Sequence, residues 1–528
     1  MLIGYVSDER YVALADVLVE FERGGRSIET RSRATGALHA ELEPGEYRVT
    51  LSKSGFGAKR AQVVIAAERP HHFRLLADGL LGYAWPKWVR GGERSEFRVH
   101  SVEPYKIELV RYGLHKEPVA KIGWFDEHGP LATMQITPDG DYTQTGVQWN
   151  QVGYGSWQHH QYVTAPERSG LYYFHARTDS GRFFAFPWIV APRVPQAKIA
   201  VLAANITWNA YNNFGGRSNY IHADRLPGEP TVNARMELAR YNDPEFGTWN
   251  AEDYRPLSFD RPEPINHVPE HVQALDPIEG RAACHVAPTD WRMLAWLERE
   301  GFEYDLYADT QLHFGELDLN AYRVLVLGPH PEYWSRAMYE RVKTWVFERG
   351  GRLAYLGGNG LNCEVSLRDA ATMIVHNGDQ RKLKGERAHC ESRFGMRVES
   401  EAHLLGVVYT ETGVMTAAPY RALQANHWAF ERTGLADGQL FGQHSQHERI
   451  PGGASGHETD KRSPSTPPGA TLLAKGLNPD DGGAELVCFE TASGGSVFSA
   501  GSICWPSALL VDEGVSRITA NVLRRFSQ

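Results

Sequence analysis

The sequence predicts a multidomain α+β protein, with β-sandwich domains first and an α/β domain after them. Three observations carry this expectation. Up to about residue 195, alternating runs such as VLVEFE, RVTLS and AQVVIA are separated by GG, TG, PG and SGFG turns. At Lys198 the pattern changes to KIAVLAAN, a continuous apolar run of the kind that forms a strand buried on both faces. Residues 322–360 then read as strand, loop, helix, turn, strand and loop, which is the βαβ unit of a parallel sheet.

Taken in order, residues 1–78 form a small all-β domain. Its stretch LEPGEYRVTLSKSGF resembles the transthyretin-like, carboxypeptidase-regulatory type of sandwich. It carries no candidate acid, base or ligand set, which predicts that it is separable from catalysis. Residues 79–195, with SEFRVHS, KIELVRYG, GLYYFHART and FFAFPWIVA, read as a second sandwich. The paired His159 and His160 could bind a metal, but solvent-facing strand positions are the simpler reading. PRVPQ at 192–196 is a Pro-rich linker.

Residues 196–528 read as one α/β domain. Ile199–Ala203 is its first buried strand, and a loop rich in Asn and aromatics follows. Thr289–Gly301 is an amphipathic helix whose apolar face is Trp291, Leu294, Ala295 and Leu297. EYDLYAD is another strand. In the central unit, Val324–Leu327 is a strand and Ser335 caps a helix. Tyr339, Val342, Trp345 and Val346 give that helix its buried stripe, and Gly350–Gly351 ends it. Leu353–Leu356 is the second strand, followed by GGNG. A closing helix spans Ser516–Phe526. The Pro/Gly/Ser-rich segment 449–470 reads as an excursion beside the site or a mobile loop.

The totals exclude several function classes. At 528 residues, 42% apolar and 23% charged, the chain has ample core for about two to four domains. The net charge of −9 comes without any basic stripe, so nucleic acid is not an expected partner. The N-terminus MLIGYVSDERYV is too short in apolar residues for a signal peptide. No apolar run is long enough for a membrane span. Cys284, Cys363, Cys390, Cys488 and Cys504 are scattered without CxxC spacing, a reduced, cytoplasmic pattern that speaks against a thiolate metal site.

The candidate chemistry clusters after the parallel strands, where open α/β sheets bind ligands. GxSxG is absent. GGNG puts Asn359 where a nucleophile elbow would carry Ser or Cys. Asn cannot attack a carbonyl, but its amide can donate to a substrate oxygen. The nearest thiol, Cys363, reads either as a nucleophile or as a small buried hydrophobe. HPE places His330 and Glu332 on the loop after Val324–Leu327. They suit a shared metal, or a ligand beside a proton carrier. WNAYNNFGGRSNY concentrates Trp208, Tyr211, Phe214 and Tyr220 among amides, and YRPLSFDRP offers Tyr254, Asp260 and Arg261, the Asp–Arg pair reading as structural.

Together, TWNAYNNFGG, SFDRP, GPHPEYW, GGNG, HWAFERTGL and SGHETD resemble the large (beta) subunit family of bacterial N,N-dimethylformamidase over roughly 200–528. The resemblance implies a class I glutamine amidotransferase-like domain without a working Cys triad. It also implies a mononuclear iron, Fe3+, held by two tyrosines and one glutamate. Tyr211 looks like the first tyrosine and Glu332 like the carboxylate. Tyr254 fits the second tyrosine by spacing, with Tyr220 and Tyr241 as rivals. His330, Asn359 and Glu458 match the polar residues beside the iron. A homo-oligomer is implied, and a small subunit as an optional partner. The chain departs from the family in its shorter length and its transthyretin-like N-terminus.

Two phenolates and a carboxylate are hard anionic oxygen donors suited to an oxidised iron. The expected function is hydrolysis of a small amide, of formamide or N-substituted type, into acid and amine. His330 or Glu458 would move the water proton, and Asn359 would steady the oxyanion. The alternative from another class is a non-catalytic carbohydrate- or protein-binding module on the same shell.

Overall fold

The computed structural model describes residues 1–528 except 67–69, 78, 126–160, 222–225, 234–244, 246–255, 281, 379–384 and 386–388. Tyr241, Tyr254, His159 and His160 lie outside the described residues.

The first 75 residues form two antiparallel-rich sheets. One orders Ala37–His39, Leu2–Asp8 and His71–Leu75; the other orders Arg26–Arg31, Leu18–Arg23, Gly45–Lys53 and Phe56–Ile65. Their alternating apolar residues, among them Val6, Val19, Phe21, Val49 and Phe73, meet in a core of their own. A three-stranded and a five-stranded sheet follow. Phe97, Phe174, Phe186 and Trp188 fill the space between them. The opposite face of the five-stranded sheet, with Tyr112, Leu171 and Tyr173, joins the large core of the rest of the chain. The strands Gly170–Thr178 and Phe183–Ala191 are therefore buried on both faces, whereas the edge strand Lys116–Phe125 is largely exposed.

The remaining chain builds a nine-stranded sheet. Its order is Tyr304–Ala308, Ile199–Ala203, Val324–Leu327, Arg352–Tyr355, Ser496–Ser499, Glu485–Glu490, Thr471–Gly476, Tyr420–Ala422 and Leu440–Phe441. The first five strands are parallel and the other four add on antiparallel. The four-residue runs VLVL and RLAY have room for only one buried strand each, and both lie in the middle of the sheet. From Ile199–Ala203 the chain goes to one side for Tyr304–Ala308 and then crosses to the other for Val324–Leu327. The strand order reverses there, so the carboxyl ends of Ile199–Ala203 and Val324–Leu327 diverge over a crevice.

The helix between the central strands spans Arg336–Arg349 and buries Met338, Tyr339, Val342, Trp345 and Val346. Ser335 Oγ accepts from the Met338 N–H at 3.3 Å, and Gly350 closes the helix at φ 74°. The closing helix runs from Glu513 to Phe526, three residues longer at its start than the apolar pattern predicts, because Asp512 caps it. Two expected loops carry regular structure. Asn205–Tyr211 is a short helix, buried throughout, although Asn is a poor helix former; Trp208 Nε1 donates to buried Asp290 at 2.9 Å and ties it down. Tyr333–Trp334 pairs in parallel with Cys363–Glu364 in a separate small sheet. Among the described residues no helix is long and apolar enough to cross a membrane.

Ser335 does double duty, since its Oγ also meets His313 Nδ1 at 2.7 Å. Ser335→Ala is expected to lower stability by about 1–2 kcal/mol, read as a lower denaturant midpoint at unchanged slope.

Candidate active site

Three segments converge over the crevice. The helix Asn205–Tyr211 follows the first strand and ends at Tyr211. The HPE loop follows Val324–Leu327 and carries His330 and Glu332. The GGNG turn follows Arg352–Tyr355. Its glycines are required by close approach. A Cβ on Gly357 would stand 2.5 Å from the Pro329 carbonyl oxygen, and one on Gly358 would stand 2.6 Å from the Glu458 carbonyl oxygen. The turn can thus press against the HPE loop on one side and the 455–461 segment on the other, with Asn359 in the left-handed region at φ 50°.

Glu332 is the hub. It is 1% exposed. Tyr211 Oη donates to its Oε2 at 2.8 Å, and Tyr220 Oη lies 3.2 Å from the same oxygen. The two phenol oxygens are 2.7 Å apart. Arg393 Nη2 donates to the other carboxylate oxygen, Oε1, at 2.8 Å. His330 Nε2 sits 3.3 Å from Glu332 and 3.4 Å from Glu458, off the line of a good hydrogen bond to either. Asn359 Nδ2 donates to Glu458 Oε2 at 2.9 Å. Glu458, with a side chain 19% exposed, is the most accessible carboxylate of the set.

The electrostatics follow from this packing. Burial pushes the Glu332 carboxyl upward, but His330, Arg393 and Tyr211 outweigh it and hold it below the ordinary carboxylate range. Burial, then the charge of Glu332, raises the Tyr220 phenol well above its usual value. Tyr333, whose Oη meets Tyr220 Oη at 2.8 Å, is raised in the same way. Arg393 pairs with Glu332, and His330 stands between Glu332 and Glu458. Three hard oxygen donors, two phenols and a carboxylate, already converge within hydrogen-bond distance, a donor set that fits an oxidised iron.

A family model described as "N,N-dimethylformamidase beta subunit-like, C-terminal" matches residues 118–517. The chain belongs to this dimethylformamidase beta subunit-like family. The N,N-dimethylformamidase beta subunit of Paracoccus aminophilus is 28% identical over 69% of this chain and 53% of its own length. The corresponding subunit of an Alcaligenes species is 26% identical over 70% of this chain and 54% of its own. The chain therefore spans about half the length of the curated relatives it matches. Among solved structures, a DUF3823 family protein from Bacteroides ovatus aligns at 11% identity and a TM-score of 0.12, over 34% of this chain and 92% of that one. That score carries no argument about fold.

Of the residues predicted for the dimethylformamidase-like site, the structure brings Tyr211, His330, Glu332, Asn359 and Glu458 together. Tyr254 lies outside the described residues, and Tyr220, its rival, reaches both Tyr211 and Glu332. Sequence reasoning missed Arg393, Tyr333 and the amide pair Asn219–Asn377. Asn219 Nδ2 donates to Tyr333 Oη at 2.7 Å, and Asn377 Nδ2 donates to Asn219 Oδ1 at 2.7 Å. Arg393 Nη1 reaches Asn377 Oδ1 at 3.1 Å. No local pattern announces Asn377 or Arg393; the concentration of Asn and Tyr in WNAYNNFGGRSNY hints only at Asn219, and Tyr333 lies beside Glu332 in HPEYW.

The Cys363 nucleophile reading does not survive. Cys363 lies in a strand, fully buried, and burial pushes its thiol up to about 12, so it is protonated at neutral pH. Residues 1–78, expected to be separable from catalysis, nevertheless touch the chain on either side of Tyr220. Arg74 of the first sandwich, 1% exposed, donates to the Gly216 carbonyl at 2.6 Å, and Tyr11 donates to the Pro227 carbonyl at 2.6 Å. The N-terminal domain grips the chain on either side of Tyr220.

Arg261 is the internal counterpart of that grip. Fully buried, it donates to the carbonyls of Asn209, Asn212, Phe214 and Ser258, knitting the helix carrying Tyr211 to the loop leading to Tyr220. Asp260 instead pairs with Arg98 at 2.5 Å and accepts from Tyr83, a structural role as the sequence suggests. Lysine keeps the charge but offers one donor head in place of a fork. Arg261→Lys is expected to lose at least about 2 kcal/mol through buried carbonyls left without donors, measured by chemical denaturation.

Proposed function

We propose that this chain is an iron-dependent amidohydrolase that cleaves the C–N bond of a small formamide-type or N-substituted amide. The observation that carries the reading is the convergence of two phenols and a desolvated carboxylate on one point at a sheet switch point. Tyr211 and Glu332 would hold a ferric ion, with a second tyrosine as third protein donor. Tyr220 supports that role by its position, and Tyr254 by its spacing. The α/β domain is read as a class I glutamine amidotransferase-like shell whose nucleophile position is taken by Asn359. A binding module is the weaker reading, since the charged groups are gathered in the interior and not displayed on a surface.

When bound, iron supplies Lewis-acid polarisation of a carbonyl and acidification of water. The protein groups do the rest. Arg393 fixes Glu332 Oε1, which keeps Oε2 facing the phenols. Glu458, oriented by Asn359, takes the proton of the attacking water. His330, between the two carboxylates and 3.4 Å from Glu458, receives that proton and passes it through Nε2 to the departing amine nitrogen as the C–N bond breaks. One Nδ2 proton of Asn359 is engaged by Glu458, and the other is available to the developing oxyanion.

Tyr211→Phe and Glu332→Gln are expected to lose iron, measured by elemental analysis per chain, while far-UV circular dichroism stays unchanged. Tyr220→Phe and Tyr254→Phe decide the third donor: the ligand's variant loses iron and the other keeps it. His330→Ala is expected to spare iron and lose turnover, read as amine released from an amide panel. Asn359→Ala should keep iron and lose about 10²–10³-fold in rate. Cys363→Ser should keep most activity. Normal iron and normal rate in Tyr211→Phe would overturn the ligand assignment.

A further inference from the structure

Behind the crevice lies a second cluster of ligating side chains that takes no part in the proposed reaction. Cys284, His447 and His457 each offer one donor atom, all within 4.8 Å of one another, and all three residues are buried. Cys284 Sγ is 3.9 Å from His447 Nδ1, and His447 Nε2 is 2.9 Å from His457 Nδ1. The three come from separate pieces of chain: the short helix Ala282–His285, the segment after Leu440–Phe441, and the link between Ser455–Gly456 and Thr459–Lys461. Convergence of this kind is not a by-product of one helix face or one loop.

The backbone holds these groups in place. His457 sits at φ 63°, the left-handed region that a non-glycine residue occupies at a cost of about 1–3 kcal/mol unless its surroundings compel it. Its N–H donates to the Thr416 carbonyl at 3.0 Å and its own carbonyl accepts from Met415 at 2.7 Å, which fixes the strained turn. The Ile450 N–H donates to His447 Nδ1 at 3.2 Å. His447 Nε2 therefore carries the proton and donates it to His457 Nδ1. A cation at this place would take over from the shared proton and from the thiol proton of Cys284.

We infer that Cys284, His447 and His457 form a second metal site, chemically distinct from the oxygen-donor site, that takes a borderline-soft divalent cation of the Zn2+ class. One thiolate and two imidazoles are the donors such a cation prefers, whereas phenolates and carboxylates suit ferric iron. The site would be structural. It would fasten the helix Ala282–His285, whose His285 ring lies 4.5 Å from that of Tyr211 and 5.2 Å from that of His330, to the turn that presents Glu458. The inference does not depend on the amide-hydrolase reading, because it concerns a different cation on different ligands.

The test incubates the full-length protein with Zn2+, removes loosely held ions by desalting, and measures zinc and iron per chain in wild type, Cys284→Ser and His447→Gln. Wild type is expected to retain about one zinc, and each variant close to none, with iron unchanged across the three. No retained zinc in wild type, or undiminished zinc in either variant, overturns the inference. Should the variants fail to fold, Co2+ loading of wild type decides: a thiolate-to-cobalt charge-transfer band with tetrahedral ligand-field bands is expected, and their absence contradicts the site.

Discussion

A single buried carboxylate sets the terms for this site. Taking Glu332 out of water costs several kcal/mol unless the interior compensates its charge. Two phenols, one guanidinium and one imidazole surround it, and the guanidinium and the Tyr220 phenol are themselves held by groups further out. Asn377 accepts from Arg393, Tyr333 meets Tyr220, and Asn219 ties Tyr333 to Asn377. The polar network is contiguous, and loss of one member leaves the next buried and unsatisfied. This is why the cluster holds a defined arrangement in the middle of an otherwise apolar core.

The sheet decides where that network can exist. At the reversal of strand order, two neighbouring strand ends diverge, leaving space that side-chain packing alone does not fill. Tyr211 follows one of those strands and Glu332 the other, about 120 residues later in sequence. Arg261 and Arg74 then fix Asn212, Phe214 and Gly216 from two sides, one within the α/β domain and one from the first sandwich. The sandwiches are therefore part of the site's support, although they lend no group to the proposed chemistry.

Much of this was legible in the sequence where local chemistry and tertiary demand agree. VLVL and RLAY are apolar runs bounded by Gly and Pro, Ser335 is a capping residue ahead of a helical stripe, and Gly350 is a stop. Where they disagree, the sequence misleads. Asn205–Tyr211 has poor helix propensity, and contact with Asp290, some eighty residues away, overrides it. The four antiparallel strands that extend the sheet include runs of only two and three residues, too short for any periodicity to show. Arg393 comes from a polar stretch and finds Glu332 61 residues away, a pairing that no spacing rule anticipates. Spacing favours Tyr254 over Tyr220 for the second tyrosine, because Tyr220 sits on a Gly-rich loop whose direction only long-range contacts set.

The central claim is that phenol oxygen, and not only carboxylate oxygen, faces the cation at this site. Resonance Raman spectroscopy of the iron-loaded protein, excited in its visible absorption, tests that most directly. The account predicts phenolate ring modes in wild type that weaken or vanish in Tyr211→Phe reconstituted with iron. Iron-loaded wild type without any phenolate signature, or a spectrum unchanged by Tyr211→Phe, would contradict it.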